Sequence, residues 1–308
     1  MVVVGAGVVG LSCAVRLLEA GHRVDVLARE LPQETTSSVA AAIWYPYRAL
    51  PQDRVTAWAA TSRRAFEDLA ATDPAAGVRL LPGTEVHAAP APDPWWAEAV
   101  PGLARAEQVP APYVDGWTFT APVIEMPVYL RWLAARVESL GGTITRAALT
   151  ALPVGPDVVV DCAALGARGL VGDATLTPVR GQVLRLSQPG LDRWWLDAAG
   201  PTYVVPREHD VVVGGTDQPG EWDRTPDPRT AADVLARATA LVPALAGAQV
   251  LAHRVGLRPY RPAVRLEREG AVVHCYGHGG AGVTLSWGCA DEVADLVDGA
   301  VDGAGDAG

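Results

Sequence analysis

The chain has 308 residues, 49% hydrophobic and 19% charged, enough for two interleaved domains or one large α/β body with an appended sheet. No apolar run is long enough to cross a bilayer, and a net charge of −10 lacks the clustered Lys and Arg that hold phosphate backbones, so neither membrane nor nucleic acid is an expected partner. Cys13, Cys162, Cys275 and Cys289 show no CxxC or metal spacing and the six histidines no HExxH, so no metal is expected and the cysteines read as buried thiols of a reducing, cytoplasmic compartment.

The opening MVVVGAGVVG carries no cationic leader region, and no cleavable signal is expected. Val2 to Val4 read as a β-branched strand running into a glycine turn. Leu11, Ala14, Val15 and Leu18 recur at helical spacing, Gly21 is placed to end that helix, and Val24 to Leu27 form a second strand. Strand, turn, helix and strand in so short a span predict a right-handed βαβ unit and a parallel sheet. A helix follows over Val55 to Ala71. The proline-rich stretch from Pro82 to Pro112 is too irregular for elements and reads as surface loops. Pro127 opens another helix, closed by Gly141-Gly142, with strands at Thr143 to Arg146 and Asp157 to Cys162. From Val179 to Thr216 the pattern changes to strands joined by short turns, Arg180 to Ser187, Thr202 to Val205 and Asp210 to Gly215, as in an antiparallel sheet. A helix over Ala231 to Leu245, a strand over Ala271 to Tyr276 and a last helix through Leu296 follow, and the tail from Gly299 to Gly308 is expected to fray.

The hexad Gly5-Ala6-Gly7-Val8-Val9-Gly10 lies between a strand and a helix, where backbone N–H groups and a helix N-terminus can meet a pyrophosphate. A plain tight βα turn is the alternative. The second strand ends in Leu27-Ala28-Arg29-Glu30 rather than in an acid, leaving Arg29 for the adenosine or phosphate side and Glu30 for the ribose. The far end of the chain decides which dinucleotide is meant. FAD has an isoalloxazine distant from its ADP half and calls for a second backbone-rich loop, which Gly277 to Thr284 offers through Gly279, Gly280, Gly282, Val283 and Thr284. Just upstream, Gly256-Leu257-Arg258-Pro259-Tyr260-Arg261-Pro262 holds Arg258, whose planar fork suits a carboxylate, with a surface salt bridge as the alternative. His278 reads as a base or as a hydrogen-bonding strut; Ile43, Trp44 and Tyr45 read as pocket or as core.

Along nearly its whole length the chain resembles the D-amino-acid oxidase family. The resemblance lies in GAGVVGLS, in Leu27 to Pro32, in Val39-Ala40-Ala41-Ala42-Ile43-Trp44-Tyr45-Pro46, in Val179-Arg180-Gly181-Gln182, in GLRPYRP with Arg265 to Arg268, and in YGHGGAGVTLSWGCADE. The LARELP form with arginine resembles the fungal branch. The resemblance implies that Arg258 pairs with a substrate carboxylate, that Tyr203 donates its hydroxyl to it, and that the Gly280 carbonyl accepts from the amino group, with Tyr45 in the pocket. It implies flavin contacts at Ala6, Arg29, Glu30, Thr36, Ser37, Ala41, Ala42, Ile43, Arg258, Gly279, Gly280, Gly282 and Thr284. Animal members carry a lid tyrosine before the Tyr203 position, whereas Leu196 to Thr202 is shorter and has none. D-aspartate oxidases carry arginine where this chain has Asp217; Arg261, or Arg207 in what reads as an exposed turn, could supply a second cation.

The expected function is therefore FAD-dependent oxidation of D-amino acids, neutral ones preferred. No side chain acts as acid or base; hydride passes to noncovalent FAD and on to dioxygen, giving imino acid, keto acid, ammonia and hydrogen peroxide. D-aspartate oxidation, a glycine- or sarcosine-type oxidase or dehydrogenase, and a non-catalytic dinucleotide module are the rivals. A Rossmann-like FAD-binding domain is expected over 1–50, 127–180 and 250–308, interleaved with a mainly antiparallel substrate-binding domain over 51–126 and 181–249. A homodimer is open to the chain.

Overall fold

The computed structural model of the protein describes residues 1–46, 49–197 and 199–304. β1 (Val2–Val4) turns through glycines into α1 (Val8–Glu19), and β2 (Asp25–Ala28) returns parallel beside β1 with Val2 opposite Asp25. Gly21 ends the helix in the left-handed region, at φ +90°, where a side chain would be strained. α2 (Gln52–Thr72) follows, then β3 (Val78–His87), β4 (Ala104–Arg105) and β5 (Asp115–Ile124).

The loop reading of Pro82 to Pro112 is thus corrected at both ends, since Pro82 lies inside β3 and Ala104–Arg105 pairs with β5. Pro82 is tolerated because β3 meets its second neighbour only from Gly83 onward, so the missing N–H falls where the strand is still an edge.

α3 (Met126–Ser139), β6 (Thr143–Arg146), β7 (Val159–Asp161) and the single turn α4 (Ala167–Leu170) come next. β8 (Thr177–Ser187), β9 (Trp194–Asp197), β10 (Thr202–Pro206), β11 (Asp210–Gly214) and β12 (Gln218–Pro219) lead to α5 (Pro228–Leu241). Asp227 caps α5 by accepting from the Arg229 and Thr230 N–H groups, and Pro243 prevents the helix from reaching Leu245 as an α-helix. β13 (Val250–Glu269), β14 (Val272–His278) and α6 (Gly282–Ala304) complete the chain. The fraying expected from Gly299 is corrected as far as Ala304, because no proline interrupts the ladder after Val297; residues 305–308 lie outside the described residues.

The described strands join one sheet in the order β4-β5-β3-β9-β10-β11-β8-β13-β14-β7-β1-β2-β6, with β12 beside β8. β14, β7, β1, β2 and β6 are mutually parallel. The other half is antiparallel except at β3–β9. β13 joins the halves. It runs along β8 as far as Tyr260 and along β14 from Tyr260 to Glu269, and Pro259 and Pro262 sit near this handover, where the ladder is irregular. Because its prolines obscure the alternation, this 20-residue strand was not foreseen from the sequence.

One core spans both halves, with Leu11, Leu17, Phe66, Tyr129 and Leu133 fully buried among α1, α2, α3 and the sheet. Gly288 of α6 lies against the backbone of Trp58 in α2, so close that a Cβ would collide with it. A second cluster packs Val234, Ala238 and Leu241 of α5 on Leu184, Leu186, Val204, Val211 and Val213.

Candidate functional site

A cavity of about 870 Å³ follows the loops that leave β1, β2, β6 and β7 and extends to β8, β10 and β13 of the antiparallel half. Most of the site residues proposed from the sequence line it: Gly5 to Gly10, Arg29, Glu30, Thr36, Ser37, Ala41 to Ile43, Tyr45, Tyr203, Arg258, Gly279, Gly280 and Gly282 to Thr284.

At one end the glycine turn is shaped by what a side chain would hit. A Cβ on Gly5, itself at φ +113°, would collide with the Cys162 carbonyl, and one on Gly10 with the Gly5 carbonyl. Gly7 begins α1 without a side-chain cap, and Ser37 Oγ, which accepts from Val8 N at 3.1 Å, is the atom nearest a Cβ there. An uncapped helix N-terminus in a glycine cradle fits a pyrophosphate. Both candidates at the end of β2 reach the cavity. Arg29 is 73% exposed and 3.6 Å from Glu30, whose carboxylate also pairs with Arg224 at 3.3 Å.

In the second loop Gly277 and Gly279 adopt φ of +85° and +54°, and Gly279 N donates to the Pro259 carbonyl at 2.9 Å. The loop is thereby tied to the strand that carries Arg258. α6 starts at Gly282, so a second helix N-terminus faces the cavity, suited to negative charge on a reduced ring. Thr284 clamps the neighbouring wall: its Oγ1 donates to the Tyr45 carbonyl at 3.0 Å and accepts from Tyr45 N at 3.1 Å. His278 is buried, its Nε2 4.0 Å from Cys275 Sγ, an enclosed setting that fits a strut. A long cavity with a glycine cradle at one end and a backbone-rich loop at the other fits FAD.

The end of the cavity lined by Arg258 and Tyr203 is built on strands. Arg258 of β13 donates from Nη1 to the Thr216 carbonyl at 2.8 Å, lies 4.0 Å from Asp217, and keeps 20% of its side chain exposed. Tyr203 of β10 stands beside it; burial pushes the Tyr203 phenol up, and the Arg258 guanidinium acts against that. Two glycines whose role the sequence did not disclose make the space. A Cβ on Gly181 would come within 2.6 Å of Arg258 Nη2, and one on Gly214 would strike the Tyr203 ring. A glycine inside an otherwise β-branched strand was the available signal.

Of the three residues read as pocket or as core, Trp44 is fully buried, donates Nε1 to the Ala59 carbonyl at 2.9 Å and belongs to the core, whereas Ile43 and Tyr45 line the cavity. Arg207 opens the exposed turn between β10 and β11, but its own side chain is not available as a second cation: it is 3% exposed and pairs with Asp210 through Nε at 2.6 Å. Arg261 is held by Asp173 at 2.9 Å, and neither arginine lines the cavity. The cysteines, scattered in sequence, converge under the glycine turn, with Cys13 and Cys162 Sγ atoms 3.9 Å apart and Cys275 beside them. The sequence reading missed Glu85, a buried carboxyl that accepts from the Tyr45 hydroxyl at 2.9 Å.

Comparison with known proteins agrees with this architecture. The DAO family, described as FAD dependent oxidoreductase, matches residues 1–296. A D-amino-acid oxidase of Rubrobacter xylanophilus is 52% identical, covering 96% of this chain and 94% of its own. A human D-aspartate oxidase is 40% identical over 96% of this chain and 93% of its own. Among solved structures, glycine oxidase from Bacillus cereus superposes with a TM-score of 0.83 at 20% identity, covering 97% of this chain and 96% of its own. With a cavity suited to FAD and a family match over almost its full length, the chain belongs to the DAO family of FAD-dependent oxidoreductases.

Proposed function

We propose that the protein is a D-amino-acid oxidase acting on neutral D-amino acids in preference to D-aspartate. The observation that carries this reading is the pairing of Arg258 with Tyr203 at the end of the cavity away from the glycine cradle. A guanidinium offers five N–H donors in a rigid fork. One N–H of Arg258 engages the Thr216 carbonyl, and the remaining fork and the Tyr203 hydroxyl suit the two oxygens of a carboxylate. The Gly280 carbonyl is assigned to the amino group. Fixing both polar substituents of Cα leaves its hydrogen and side chain the two remaining directions, and the third constraint, the apolar wall that receives the side chain so that the hydrogen faces the flavin, is what selects one enantiomer.

Bound FAD supplies the hydride acceptor and hands the electrons to dioxygen, giving hydrogen peroxide. The imino acid product hydrolyses in water to keto acid and ammonia. Ile43, Tyr45 and Leu196 supply an apolar wall for the substrate side chain. Asp217, 4.0 Å from Arg258, disfavours a second substrate carboxylate by like charge, and Arg207 and Arg261 are engaged elsewhere.

The same reading includes noncovalent FAD held by a discontinuous domain over 1–50, 127–180 and 250–308, and a cytoplasmic site of action. Among the described residues no helix is long and apolar enough to cross a membrane. The test is peroxide release from D-alanine, D-valine, D-methionine, D-aspartate, glycine and L-alanine. The highest kcat/KM is expected on a neutral D-amino acid; a maximum on D-aspartate or glycine, or no turnover of D-alanine, would refute the reading.

A further inference from the structure

Behind the substrate end of the cavity lies a group of titratable side chains that the reaction above does not use. Glu85 on β3 is 4% exposed. Its Oε1 accepts from the Tyr45 hydroxyl at 2.9 Å and lies 3.6 Å from His87 Nε2. Among the described residues, neither Glu85 Oε2 nor His87 Nε2 has a hydrogen-bond partner. On one side Glu85 is opposite Leu196 of β9, which lines the cavity, and on the other opposite Trp117 of β5. The charges facing it are few. Asp197, next along β9, receives the Tyr113 hydroxyl at 2.9 Å and the Ala199 and Gly200 N–H groups at 3.1 Å. Beyond His87 stand Asp115 and Arg105, bonded to each other.

Two of the contacts that hold Tyr45 are independent of each other. Its backbone is clamped on both sides by Thr284, so the flavin-side wall does not depend on its phenol. Its ring packs edge-on against Trp96, with centroids 5.3 Å apart, and is anchored at the tip by Glu85.

We propose that Glu85 is a positioning residue of the substrate pocket: as a carboxylate it grips the Tyr45 hydroxyl through a charge-assisted bond and fixes the ring that walls the cavity, and as a neutral acid it relaxes that grip. This rests on the reading that the Arg258 end of the cavity receives the substrate. A hydrogen bond to an ionised acceptor is shorter and roughly twice as strong as a neutral one. Burial, with Asp197 adding to it and Tyr45 acting against it, raises the Glu85 carboxyl to about 7, so the two states exchange within the working range of an enzyme. Ligand affinity then falls as pH drops through this titration, while FAD binding does not change.

The test uses the FAD-loaded full chain and benzoate, a monocarboxylate without an amino group that stays ionised from about pH 6 upward, as carboxylates do. Its Kd is read from the perturbed visible spectrum of the flavin across the neutral range. The wild type is expected to bind benzoate roughly fivefold more weakly on the acid side of the step, the difference between a neutral and a charge-assisted bond. Glu85→Gln, which retains an acceptor for Tyr45 without a charge, removes the step and leaves Kd near the wild-type acid value. Tyr45→Phe also removes it although Glu85 still titrates, and in both variants the KM for D-alanine changes more than kcat. A flat wild-type profile, or a step that survives either substitution, overturns the inference. If benzoate does not bind at any pH and D-alanine does not reduce the flavin, the proposed function falls and this inference with it; benzoate binding with a flat profile overturns the role of Glu85 alone.

Discussion

Arg258→Ala separates a substrate-holding arginine from a structural one. Within the protein the side chain contributes one hydrogen bond to the Thr216 carbonyl, at 2.8 Å, and a 4.0 Å approach to Asp217. A hydrogen bond contributes about 1 kcal/mol, and an ion pair this long and partly exposed contributes less than about 1 kcal/mol. The fold and its FAD should therefore survive. Toward a substrate the account differs: a two-pronged charge-assisted pair in a desolvated pocket contributes about 3–5 kcal/mol to binding and positioning, or roughly two to four decades in kcat/KM. Arg258→Lys should recover only part of this, because an ammonium keeps the charge but not the planar fork. Gly181→Ala is an internal check, since its Cβ would lie within 2.6 Å of Arg258 Nη2; displacing the fork without removing it should cost about one to two decades. The assay is anaerobic reduction of the bound flavin by D-alanine at low concentration, with FAD content measured separately. Wild-type reduction rates in Arg258→Ala would show that the carboxylate is held elsewhere.

Gly10→Ala, whose Cβ would collide with the Gly5 carbonyl, should yield protein without FAD, read from the ratio of visible to ultraviolet absorbance; normal flavin content would refute the cradle. Glu85 carries a pH-dependent cost: its folded pKa is raised from 4.5 to about 7, so the folded state binds the proton more tightly and stability falls as pH rises between those values. Glu85→Gln should then match the wild type below about pH 4.5 and exceed it by about 3 kcal/mol above pH 7, and denaturant midpoints at acid and alkaline pH that shift equally would contradict this. Arg207→Ala, which leaves the Asp210 carboxylate buried with Arg185 as its remaining partner, should destabilise by about 3 kcal/mol yet leave the ratio of D-aspartate to D-alanine turnover unchanged; a changed ratio would return Arg207 to the substrate site.

What was legible in the sequence was local. The first glycine turn and its helix are contiguous, so pattern alone located them, although what requires glycine at Gly5 and Gly7 is distant in sequence, the Cys162 carbonyl and Ser37 Oγ. The second loop and Arg258 were readable from residue chemistry, the resemblance added Tyr203, and all of these line one cavity. Groups whose meaning depends on contacts across the sheet were not legible. Glu85 gains its role from Tyr45, 40 residues away in sequence, and the thiols of Cys13 and Cys162 meet across 149 residues. The turn at Arg207 is exposed as read, at Glu208 and His209, but the burial of the Arg207 side chain against Asp210 is a contact the turn sequence does not reveal. Prolines misled twice, hiding β13 and breaking the apparent regularity of β3, each time where a strand lacked or exchanged a neighbour.

The place of β14 and α6 in the sheet also sets the order in which the molecule can be made. β1 is made long before several of the elements around it: β2 follows at once, yet its other neighbour β7 begins at Val159 and β14, the next strand out, at Val272; α6, which packs on α1, begins only at Gly282. At about 5–20 residues per second, the glycine turn waits on the order of tens of seconds for the strands and helix that surround it. The nascent chain must hold β1 with only β2 beside it until β7 is made, and α1 without α6 for longer still, a topology of long-range pairings that folds slowly and exposes unpaired edges to aggregation. Completion of the cavity becomes a late event in synthesis, and chains truncated before α6 lack the part of its wall that Gly282, Val283 and Thr284 form.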